Sequence, residues 1–145
     1  MATSAISGFG TLLKIGDGGG TEVFTTIAEV TDISGPGLSM DTMEATSHSS
    51  TAGWKEFVAG LLDAGEVTFS VNFLITNATQ SYTSGLIRDM VNRTARHFQL
   101  VFPNVGNTTW AFTALVTAFE PAEPIDDVLK ADCTLKITGQ PTLAG

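Results

Sequence analysis

Few side chains in this chain are placed to do chemistry, and each candidate has a simpler structural reading. The run GDGGG, Gly16 to Gly20, offers the dense backbone N–H groups of a phosphate loop. Such a loop needs Lys and Ser or Thr directly after the glycines, where a helix opens. Here Thr21-Glu22-Val23 follow and open a β-branched, aromatic run, so a hairpin turn with positive φ values is expected instead. His48 lies beside Ser49 in TSHSS, but a Ser–His pair needs an orienting carboxylate, and no GxSxG surrounds Ser49. His97 opens a strand-like run and is expected at a surface or a subunit contact. Cys133 alternates with Leu135 and Ile137 and reads as a small core residue, while one Cys with two scattered His does not compose a zinc site. Asp126-Asp127 lacks the spaced oxygen ligands of a calcium loop and reads as a solvated turn. No catalytic residue, cofactor or metal ligand is assigned, and an enzyme is the least favoured class.

The elements that would position these groups are mostly strands. Thr11–Ile15 and Glu22–Val30 flank the glycine turn as a first hairpin, and Asp32–Gly37 breaks the pattern. Leu38–Thr46 is a further strand. Ser47–Gly53 is small and polar, and Trp54–Gly65 is expected as loop with at most one helical turn, giving a long inter-strand loop over 47–65. Glu66–Ile75 is the clearest strand: Val67, Phe69, Val71 and Phe73 alternate with Glu66, Thr68, Ser70 and Asn72, one face packed and one wet. Ser81–Thr94 is the one helix, with Leu86, Ile87, Met90 and Val91 as its apolar stripe and Thr79 or Ser81 as its cap. Phe98–Phe102, Trp110–Phe119 and Lys130–Thr138 are strands. About seven strands and one helix predict a mainly β fold, a β-sandwich or flattened barrel flanked by the helix. A single domain over 1–145 is expected, with flexible arms at 1–9 and 139–145.

Composition narrows the partners. Seven basic against 15 acidic residues give a net charge of −8 over 145 residues, which disfavours phosphate-backbone binding and anionic membrane surfaces. Only 15% of residues are charged while 43% are hydrophobic, a balance that suits strands and extensive subunit contacts. One cysteine implies no oxidising compartment, MATSAISGFG is no secretory signal, and no run is long enough to span a membrane, so synthesis in a cytoplasm is expected. Trp54, Phe57, Leu61 and Leu62 carry too much apolar surface for a solvated loop. They are either a local core plug or an anchor between subunits, where Trp is enriched among dominant contacts. Arg88, Arg93 and Arg96 form a local basic patch, either solvated or paired with a neighbour's acidic surface.

In order along the chain, KEFVAGLLDAGEVTFSVNF (Lys55–Phe73), the helix stripe, FQLVFPNVGNTTWAF (Phe98–Phe112) and EPAEPIDDVLKADCTLKITGQP (Glu120–Pro141) resemble the major tail, or tail tube, protein of long-tailed bacteriophages. The resemblance implies a β-sandwich or barrel with a flanking helix, six-membered rings stacked into a tube, and a long loop reaching a neighbouring subunit. It further implies a lumen that DNA crosses without sequence-specific binding, a tape-measure protein inside it, and tail-terminator and tip proteins at its ends. With the sequence running to Gly145, the extra immunoglobulin-like domain of some members is not expected. In that setting Trp54, Lys55, Phe57, Leu61 and Leu62 are the expected inter-subunit contacts. Glu66 and Asp132, on the polar faces of the clearest strands, are candidates to face the lumen, and the arginines are a contact patch. Virion tail is the expected location. The rival readings are a secretion-system tube subunit, a neck or terminator protein, or a monomeric β-barrel binding a ligand with Trp54, Trp110 and Tyr82 as stacking platforms.

Overall fold

The computed structural model describes residues 3–144. In chain order the elements are β1 (Leu12–Gly16), β2 (Phe24–Thr26), β3 (Val30–Ser34), β4 (Ser39–Glu44), β5 (Phe57–Asp63), β6 (Glu66–Asn72), α1 (Leu86–Val91), β7 (Arg96–Val101), β8 (Thr109–Ala122) and β9 (Lys130–Ala144). Seven strands form one sheet in the order β2-β1-β7-β8-β9-β6-β3, and β4 pairs with β5 alone. Every pairing is antiparallel.

The connection from β2 to β3 forces the large sheet to roll. These strands are its opposite edges, yet only four residue steps separate Thr26 from Val30. Six flat strand spacings span about 29 Å, whereas four extended steps reach at most about 14 Å. The two edges must therefore approach each other at this connection, although no ladder joins β2 to β3. Gln80, wholly buried, stitches the meeting point: its Nε2 donates to the carbonyls of Ala28 (2.8 Å) and Asn72 (3.3 Å), and its Oε1 accepts from the Leu74 amide (3.0 Å). Strands β8 and β9 run through both layers of the rolled sheet, and their ladder slips at Ala111/Thr113 and Val116/Ala118, where bulges let the pair bend.

Alternation supplies the core. Val67, Phe69 and Val71 of β6 and Ala131, Cys133, Leu135 and Ile137 of β9 point inward, where they join Leu13, Phe98, Leu100 and Phe112. Phe98 and Phe112 stack with centroids 5.9 Å apart. Burial pushes the Cys133 thiol up to about 12, with Asp132 adding to the shift. Trp110 is only partly buried, tilted against Phe102 at the core margin.

Several expectations change. Trp54–Gly65 is not loop or helical turn: Phe57–Asp63 is a strand. Its alternation was invisible because both faces carry apolar residues. Glu22–Val30 is not one strand either. It breaks after Thr26, Glu29 takes φ 52°, and β3 runs into the expected break as far as Ser34, just before Gly35 at φ 107°. The helix expected over Ser81–Thr94 shrinks to six residues. Residues 77–85 instead form polar turns in which Asn77 and Ser81 accept backbone N–H bonds, and the start of the helix is Gly85, without a side-chain cap from Thr79 or Ser81. A Cβ at Gly85 would sit 2.4 Å from the Gln80 nitrogen, so this close approach requires glycine. Of the proposed arms, residues 3–9 hold no helix or strand, whereas 139–144 form the end of β9. Met1, Ala2 and Gly145 lie outside the described residues.

Candidate functional site

The groups first considered for chemistry have structural occupations. The glycine turn is the β1–β2 connection, and carboxylates fill it: Glu22 accepts from the Gly18 amide (3.0 Å), and Asp17 from the amides of Gly19 (2.9 Å) and Val23 (3.3 Å). These bonds hold the Asp17 carboxyl below its usual range. The other Glu22 oxygen meets His97 Nδ1 from β7. His48 and Ser49 sit in the exposed tip between β4 and β5. Asp127 receives Lys130 Nζ at 2.9 Å and the Val128 amide at 2.8 Å. Among the described residues no group of three or more His, Cys, Asp or Glu is gathered for a metal, and no helix is long and apolar enough to cross a membrane.

What the fold leaves unpartnered is apolar surface on β4–β5. Met40 lies opposite Leu62, Met43 opposite Val58, and Glu44 opposite Phe57. Consecutive strand residues point to opposite faces, so Phe57-Val58 and Leu61-Leu62 place large apolar groups on both. Relative exposure is 82% at Leu61, 78% at Leu62 and 76% at Trp54, and Lys55 is exposed beside it. Trp54 is therefore no core plug of the free subunit. An isolated two-stranded ribbon is marginal in water. This one is tied at its tip by Glu56, whose amide donates to Thr46 Oγ1 (2.9 Å), whose carbonyl accepts from the Ala45 amide (2.8 Å), and whose carboxylate receives the Ser50 hydroxyl. At its base Asp63 accepts from the Gly65 amide (2.8 Å) and lies 3.5 Å from Lys136, and the two hold its carboxyl low.

A second surface lies on the outer face of β3-β6-β9-β8. Cross-strand partners place Asp32 opposite Ser70, Ser70 opposite Asp132, and Asp132 opposite Glu120. One row of side chains thus carries three carboxylates over four strands, with Ser70 Oγ donating to Asp132 at 2.6 Å. Glu66 is on the same face, opposite Lys136. The structure brings Glu66 and Asp132 onto one wall and adds Asp32 and Glu120, which a single sequence does not align because register is a tertiary property.

The arginines separate. Asp89 of α1, fully buried, receives Arg88 (3.0 Å) and Arg96 (2.8 Å), so both guanidinium groups are engaged within the subunit. Arg93 remains exposed at φ 56° just past the helix. Asp89 was not singled out in the sequence; its only signal there was an acid amid the helix's apolar stripe.

The profile of the family described as lambda phage tail tube protein, TTP, matches residues 17–144. No curated protein sequence matches. Among solved structures, a chain in the tail of an empty GTA particle refined with C6 symmetry is 21% identical, TM-score 0.74, covering 97% of this chain and 100% of that one. A chain of the anti-feeding prophage baseplate is 13% identical, TM-score 0.70, covering 100% and 98%. A chain of the sheath–tube complex of an extracellular contractile injection system is 15% identical, TM-score 0.66, covering 97% and 92%. At these identities the likeness is one of fold.

Proposed function

The chain belongs to the lambda phage tail tube protein family and is a structural tail tube subunit, and we propose that it builds the tube from two separate surfaces: the β3-β6-β9-β8 strip as the wall and the β4–β5 hairpin as the link to neighbouring copies. The observation that carries this reading is the hairpin's uncovered apolar surface on both faces. Exposed patches of this kind mark interaction sites, and Trp54, Lys55, Phe57, Leu61 and Leu62 are the contacts. Arg93 is the part of the basic patch left for a neighbour.

The strip suits a ring. It has four strands, all antiparallel, so its end strands β3 and β8 run in opposite directions. The outer side of β3 pairs with no strand among the described residues, and β7 leaves β8 after Ala114. Laying β8 of one copy beside β3 of the next continues the antiparallel ladder. Such a head-to-tail contact is heterologous and closes when the rotation per copy allows, and it covers edges that would otherwise invite aggregation. Six copies per ring fit the C6 symmetry of the GTA tail chain.

With the strip as wall, Asp32, Glu66, Asp132 and Glu120 face the lumen against Lys130 and Lys136. An acidic wall repels the DNA backbone and leaves it mobile, over a range of about 8 Å at physiological salt. The role is mechanical, with no enzymatic step. A tape-measure protein fills the lumen before ejection, terminator and tip proteins close the ends, and assembly takes place in the host cytoplasm before the subunit resides in the virion tail.

Size-exclusion chromatography with negative-stain microscopy tests this. Rings or tubes support it, and a strictly monomeric protein at high concentration overturns it. Trp54→Ala should leave the monomer folded and block polymerisation; unfolding of the monomer would remove Trp54 from the interface.

A further inference from the structure

The acidic row does not stop inside the wall; it runs to both of its unpaired edges. Asp32 sits on β3, at one edge, and Glu120 on β8, at the other, and both are exposed. Like charges directly opposite in a sheet repel, and Glu120 already faces Asp132 within the subunit. The cations of this face lie inward, on β9: Lys130 is held by Asp127 and Lys136 is near Asp63. No Lys or Arg lies within β3 or β8. When copies join edge to edge, a carboxylate from each side therefore comes to the joint, with Asp32 offset only from a distance by Lys130, two strands away on β9.

We propose that Asp32 and Glu120 act as an electrostatic brake on self-joining, holding subunits apart until salt or an already assembled template offsets the repulsion. This rests on the wall reading above. Two unit charges about 8 Å apart in water disfavour one joint about twofold, and the factor multiplies over every joint of a ring. Repulsion of this size leaves the finished tube stable, because apolar contacts at the hairpins dominate once many copies are in place. It acts on the first joints, where few contacts yet compete with it.

The test uses the full chain and measures the threshold concentration for assembly by light scattering and sedimentation. Sodium chloride is varied from about 20 mM to about 500 mM, which shortens the screening length from about 20 Å to about 4 Å. The wild-type threshold should fall as salt rises. D32N/E120Q should assemble at a threshold at least about threefold lower at low salt, with its salt dependence flattened. E66Q removes one charge in the interior of the strip and should change the threshold less than either D32N or E120Q alone. A double variant that keeps the wild-type salt response overturns the brake, since hairpin burial would then set that response. E66Q acting as strongly as E120Q overturns it too, because net charge would suffice. Hydrogen exchange on assembled tubes separates this from the wall reading. Amides of 30–34, 117–120 and 122 that gain protection without the charge effects sink the brake alone. Amides there that stay unprotected sink the joint itself.

Discussion

Strands β5 and β6 are separated only by Ala64 and Gly65, yet one is exposed along nearly its whole length and the other supplies the core. In β6 the apolar residues fall at every second position, so one face is buried against β9 and its partners while the other remains polar. In β5 they come in adjacent couples, Phe57-Val58 and Leu61-Leu62. A strand greasy on both sides cannot be satisfied by one layer of its own chain. The contrast separates two uses of apolar surface: β6 folds the subunit, while β5 leaves its own uncovered, the surface proposed above to join subunits.

The comparison breaks most visibly through the barrel. Phe98→Ala removes a fully buried ring stacked on Phe112 and should cost about 3–5 kcal/mol in urea unfolding of the monomer; a loss comparable to surface substitutions would mean that the core is not where the rolled sheet places it. Asp89→Ala leaves Arg88 and Arg96 facing a vacated buried site. About 3 kcal/mol of destabilisation is expected, and an unchanged unfolding midpoint would show that the ion network does not hold α1.

On the other side of the comparison the expected change in monomer stability is close to nothing. Leu61→Ser with Leu62→Ser should stay within about 0.5 kcal/mol of the parent, because both side chains are already solvated, while tubes disappear from micrographs. Loss of monomer stability equal to that of a core substitution would assign these leucines to folding. A chemical probe sharpens the distinction with no change in stability at all. With its thiol pushed up to about 12, Cys133 should remain protonated and unalkylated in the folded monomer near about pH 8.5, whereas Ser49→Cys at the exposed hairpin tip reacts freely. Assembly should then slow the reaction at position 49 if the tip meets a neighbour.

The sequence made the barrel legible wherever one face is wet. Val67 to Phe73 and Cys133 to Ile137 were assigned their inward face from period two alone, and the structure buries those residues, Phe73 partly. The glycine turn was legible as a hairpin because Thr21-Glu22-Val23 cannot open a phosphate-binding helix. Strand β5 was not legible, since doubly apolar runs lack the alternation that identifies a strand. The helix was overextended because its first turn is replaced by a local one, in which Ser81 Oγ accepts from the Ser84 amide, and because Gln80 just before it is spent on backbone groups of Ala28, Asn72 and Leu74. The arginine patch divides because Asp89 and Arg96, seven residues apart, meet only when the chain after α1 turns back into β7 while α1 packs on β8.

Period, charge and turn chemistry are local properties, and from them the chain by itself determined a mainly β, acidic subunit with an apolar segment beyond its core. Which edges stay open, which carboxylates share a row, and which arginines are already paired depend on register and on the closure of β2 toward β3. Those are contacts between residues distant in sequence, so only the tertiary structure decided them.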